Sequence, residues 1–82
     1  MTDAERERAW AALHDAIARM PGWAVGPCVY HGDGASWHVA AIDLRPRGRQ
    51  ATRESITATG ATEIAALEAL AALLEARQIG GR

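Results

Sequence analysis

Lysine and phenylalanine are missing from this chain, and cysteine occurs once. A single cysteine excludes an intramolecular disulfide and a zinc site built from several thiolates. The lack of lysine leaves all nine basic side chains as arginine, which reads first as the mark of a GC-rich, bacterial genome. Ten acidic residues bring the formal net charge to -1, so there is no global attraction to nucleic acid or to an acidic membrane surface, and any polyanion site has to be local. No apolar run approaches the roughly 20 residues of a membrane span, and the N-terminus opens with acids and arginines rather than a signal peptide. A cytoplasmic location is therefore expected. Large apolar side chains are also scarce, because 19 of the 40 apolar residues are alanine. At 82 residues the chain reads as one domain, 1–82, close to the size at which a single core is marginal. Partner surface is expected to contribute to its stability.

The longest block of aliphatic surface lies in the last helix, read from Thr62 to Gln78. At helical pitch Leu67, Leu70, Leu73 and Leu74 share an arc with Ala66, which a small sheet could bury. Glu68 and Glu75 line another side. Ala65, Ala69, Ala72 and Ala76, spaced 4-3-4, form a third face of bare methyl groups. At the other end of the chain, Thr2-Asp-Ala-Glu5 reads as a capping box that starts a first helix. Trp10, Leu13, Ile17 and Met20 give it a buried stripe beside Ala9 and Ala16, and Pro21-Gly22 stops it.

Between the helices, Trp23 to His31 alternates loosely, with Gly26-Pro27 suggesting an edge strand or a bulge. Ser36 to Leu44 is the strongest strand signal, and Glu54 to Ala58 reads as a third short strand. A loop of Gly32 to Ala35 sets Tyr30 opposite Trp37 and His31 opposite Ser36. Tyr30, Cys28, Trp37 and Val39 then share the face expected under the helices, and His31, His38, Ala40, Ile42 and Leu44 share the other. A loop of odd length would swap the two faces. The expected fold is α+β, a three-stranded antiparallel sheet with two helices packed on one face in the order α-β-β-β-α.

That order resembles the double-stranded-RNA-binding-domain fold, as do Leu13 and Ile17 ahead of the sheet, an aromatic residue opening the second strand, and the Gly60-x-Thr62-x-x-x-Ala66 start of the last helix. In that family a Ser-Lys-Lys-type run at the start of the second helix grips phosphates. Thr62, Glu63 and Ile64 occupy those positions here, and Leu67 a later lysine position. Glutamate repels phosphate, and the loop from His31 to Ala35 carries Asp33 and no arginine. The resemblance thus implies the fold and speaks against RNA binding. The stretch from Ala58 to Leu70 also resembles the strand-to-helix junction of HicB-type antitoxins.

Cys28, His31 and His38 invite a metal reading, but the expected register puts Cys28 on the opposite face from both histidines. The plain reading is an ordinary half-buried cysteine. No nucleophile beside a base and no carboxylate pair can be assembled, so neither an enzyme nor a cofactor is expected. Arg45, Arg47, Arg49 and Arg53 could form a phosphate-gripping hairpin, although the loop has no aromatic residue for base stacking and its plain reading is a solvated loop in an arginine-rich chain. The alanine face of Ala65, Ala69, Ala72 and Ala76, together with Ala40, Ile42 and Leu44 on the open sheet face, makes an interaction reading. Against it stands the fact that exposed alanine is simply a good helix former. The leading expectation is a non-enzymatic binding or assembly module acting as a homodimer or on another protein, such as a toxin. Nucleic-acid binding through the arginine hairpin is the alternative.

Overall fold

The computed structural model describes residues 3–45 and 54–80, with side chains as far as Gln78. Helix α1 spans Asp3–Ala18, β1 Trp23–Val25, β2 Val29–His31, β3 Ser36–Asp43, β4 Ser55–Gly60 and α2 Glu63–Gly80. β3 is the central strand. β4 pairs with one side of it, and β1 and β2 pair one after the other along the opposite side, all antiparallel. The antiparallel sheet with two helices on it is the expected α+β arrangement, but it counts four strands, because the expected first strand, Trp23 to His31, is broken into β1 and β2.

The break has a local cause. β1 meets β3 through Val25 opposite Ala41, and β2 meets it through Val29 opposite His38. Three residues, Gly26 to Cys28, therefore face only Val39 and Ala40, and the surplus residue is a bulge. Pro27 has no N–H to give the ladder, while the Gly26 N–H still donates to the Ala40 carbonyl at 3.0 Å. Beyond the bulge, Tyr30 pairs with Trp37 and His31 with Ser36, the register expected from a four-residue loop.

The helices cover one face of the sheet and run in the same direction. Arg6 of α1 reaches Glu63 at the start of α2 at 3.0 Å, and Gln78 near the end of α2 donates to the Ala16 carbonyl near the end of α1 at 2.9 Å. α1 lies against β1, and α2 lies on β4 and β3. Thr62 caps α2, its hydroxyl accepting from the Ala65 N–H at 3.0 Å, which satisfies one of the donors a helix start leaves open. The expected Thr2 cap of α1 lies outside the described residues. α1 closes with tight turns, Arg19 N–H to Ala16 and Met20 N–H to Ile17. Gly22 then turns the chain at a φ of 85°.

The core consists of Leu13, Met20, Val39, Leu67, Leu70 and Leu74 together with six buried alanines, Ala9, Ala16, Ala41, Ala58, Ala66 and Ala71. Leu73 departs from the expected arc. It is 46% exposed, and Ala71 is buried instead, because α1 packs beside α2 and turns the buried stripe toward Ala71, on the side of Ile64, and away from Leu73. Alanine at so many inner positions brings the layers close. At Gly60 the approach is closest, since a Cβ there would stand 2.5 Å from the Ala66 backbone nitrogen.

Candidate functional site

On the face of the sheet away from the helices, alternation along β3 presents Ser36, His38, Ala40 and Ile42, with Val29 and His31 from β2 and Ser55, Thr57 and Thr59 from β4. Ala40 and Ile42 are half-buried, and Val29 is 45% exposed. Leu44 lies just beyond the end of β3 and is 52% exposed. Among the described residues no element lies over this face. His31 and His38, diagonal neighbours across the two strands, meet in a tilted contact with ring centroids 4.2 Å apart and planes inclined at 51°, and His38 Nε2 shares a 2.8 Å hydrogen bond with Ser36 Oγ. Beside them is a shallow hollow of about 130 Å³ bordered by Pro27, Val29, Ala40 and Thr57. A larger open cleft runs past Trp10 and His14, but its whole lining comes from α1, so it is the gap between side chains of one helix.

The second candidate patch lies on the other side of the molecule. Ala65 and Ala69 of α2 are half-buried, and Ala72 and Ala76 are exposed. The sheet separates them from Ala40, Ile42 and Leu44, so the two groups form two surfaces.

Arg45 is the one member of the proposed arginine hairpin that lies among the described residues; Arg47, Arg49 and Arg53 lie outside them. Its guanidinium is engaged by Asp43. Nε donates to Oδ1 at 2.9 Å and Nη2 to Oδ2 at 2.7 Å, while the Arg45 backbone N–H donates to Oδ1 at 3.0 Å. Asp43 is fully buried, and a buried carboxylate of this kind requires such a bidentate partner. The contact holds the Arg45 guanidinium even more firmly in its charged form, first through the hydrogen bond and then through the attraction of the Asp43 charge. Gly22 makes the clamp possible, since a Cβ there would collide with the Arg45 side chain. Asp43 is the last residue of β3. The Asp43-x-Arg45 spacing puts both side chains on one side of an extended chain.

Close by, Arg77 of α2 bonds Glu54 at 2.6 Å and lies 5.2 Å from the centre of the Trp23 ring, within range of a cation–π contact. Cys28 packs on the helix side of the sheet, opposite the histidines. Burial raises its thiol pKa, the Glu63 charge raises it further, and Arg6 works against both. The described residues contain no group of three or more histidine, cysteine or carboxylate side chains placed to hold a metal, and no helix among them is long and apolar enough to cross a membrane. No protein-family model matches the chain, and comparisons with curated proteins and with solved structures likewise give no match.

Proposed function

We propose that this protein is a small non-enzymatic binding or assembly module that works through protein–protein contacts, on itself or on another protein, in the cytoplasm. The observation that carries the reading is the open sheet face. Ala40 and Ile42 lie there beside the exposed Val29, and Leu44 is exposed at its end. Apolar surface left in water on a small domain with a thin core favours association, which removes that surface from water. The parallel helices over one face of an α-β-β-β-β-α chain, whose first two strands lie end to end beside β3, favour an arrangement like that of the double-stranded-RNA-binding domain. Glu63 and Leu67, at positions where that family grips phosphate, favour a protein partner over RNA. Arg45 adds to this preference, since a phosphate would have to compete with Asp43 for its guanidinium.

Light scattering during size exclusion, over a range of protein concentrations, tests the reading. Ile42→Asp or Ala69→Glu is expected to lower the mass while circular dichroism stays unchanged. An unchanged mass in both variants, with no partner recovered through either surface, overturns it. For nucleic acid as ligand, the expected outcome is affinity too weak to change when Arg47 and Arg49 become alanine; strong binding that falls steeply with salt and is lost in that variant would replace the proposal.

A further inference from the structure

The geometry points to the outer edge of β4 as the contact between two copies of this chain, joined by antiparallel β4-to-β4 pairing. The inference rests on the assembly reading above and names its surface. The Asp43 N–H donates to the Glu54 carbonyl across the β3–β4 ladder. With the register unbroken from Ile42 opposite Ser55 to Trp37 opposite Gly60, alternation turns the backbone groups of Ile56, Ala58 and Gly60 toward β3 and those of Ser55, Thr57 and Thr59 outward. The even-numbered residues of β3 serve the other side, as the Ala40 carbonyl does for Gly26. Among the described residues no strand pairs with the outward row.

β4 carries none of the devices that keep an edge single. It contains no charge, no proline and no bulge. The row is also self-complementary. A two-fold axis at Thr57 sets Thr57 against Thr57 of the second copy and Ser55 against its Thr59, with no charge facing a like charge and with hydroxyl-bearing side chains adjacent across the new ladder.

The helix above supports the same pairing. Ile64 and Glu68 line the groove against Ala9 and Ala12 of α1. Leu73 follows Ile64 by nine residues, about two and a half turns, and therefore points away from α1, on the β4 side of the molecule, flanked by Ala69 and Ala76. Neighbouring strands lie about 4.8 Å apart, and α2 rests on β4 and β3. Pairing two β4 edges would then bring the two α2 helices to roughly 8–10 Å, a separation that alanine flanks permit and bulky ones resist. The partly exposed Leu73 would be covered by the same contact.

The test uses the full chain and measures solution mass at several concentrations. Thr57→Pro removes an outward N–H that the β3–β4 ladder does not use, and Leu73→Glu places a charge where the helices meet. Each variant is expected to be monomeric, with helix and strand content unchanged, where the natural chain is dimeric. A cross-link through Thr57→Cys in a Cys28→Ser background is expected to form a covalent dimer on mild oxidation. A dimer that survives both substitutions and gives no cross-link, yet is broken by Ile42→Asp, overturns the edge contact and leaves the assembly reading intact. A natural chain that is monomeric at every concentration also overturns the edge contact and assigns the open sheet face to a different protein.

Discussion

A carboxylate with no exposure to water, Asp43, has its oxygens held by the guanidinium and the backbone of Arg45. Asp43→Asn keeps the shape but loses the charge that makes those bonds strong. It is expected to lower stability by roughly 1–3 kcal/mol, visible as a lower thermal midpoint with secondary structure retained. Gly22→Ala is expected to act on the same clamp from the other side, both through its left-handed backbone and through collision with Arg45. Cys28 makes a prediction about pH. Its thiol pKa is raised in the fold, so above the ordinary thiol range the unfolded chain gives up a proton that the folded chain keeps. Stability from this group is full below the unfolded pKa and is lost as pH rises through the folded one. Urea titrations from pH 7 to 10 should show this alkaline loss in the natural chain and a smaller loss in Cys28→Ser. The sequence alone placed Cys28 correctly on the helix side, because strand parity is a local property. It did not show Asp43 to be buried, because burial at a strand end depends on neighbours from elsewhere in the chain, here Trp23 of β1 opposite it and Gly22 of the turn before β1.

The elements were legible where periodicity and end signals agreed. Thr62 before a leucine- and alanine-rich run marked the start of α2, and Thr62→Ala is expected to cost about 0.5–2 kcal/mol by leaving the Ala65 N–H without its acceptor. Leu70, fully buried, should cost roughly 2–5 kcal/mol on truncation to alanine, and equilibrium denaturation of the two variants would rank them. Leu73 shows where periodicity runs out. Spacing identified a broad apolar arc, but which part of it is buried depends on α1, which packs beside α2 and turns the stripe toward Ala71 and away from Leu73. The bulge was signalled by Gly26-Pro27, yet its consequence, a first strand divided into β1 and β2, follows from counting three residues against two across the ladder.

For the molecule as a whole, sequence order was enough to give two helices on one face of an antiparallel sheet. It also set the alanine face of α2 and the residues Ala40, Ile42 and Leu44 of the open sheet face on two different surfaces, since the helices are expected on the opposite side of the sheet. The direction of the helices has a further effect. Parallel neighbours bring the positive ends of their backbone dipoles together at one end of the protein and the negative ends together at the other. Asp3, Glu5 and Glu63 stand at the first end, and Arg19 and Arg77 toward the second. Arg6 at the first end and Glu75 at the second pair with Glu63 and Arg19 and offset part of this complement. Mobile ions weaken such an arrangement, so raising sodium chloride from about 0.01 M to 1 M should lower the thermal midpoint. Glu63→Gln should show a smaller salt effect than the natural chain. In electrical terms the fold is a small capacitor, charged by its own backbone, with Asp3, Glu5 and Glu63 at one plate and Arg19 and Arg77 toward the other.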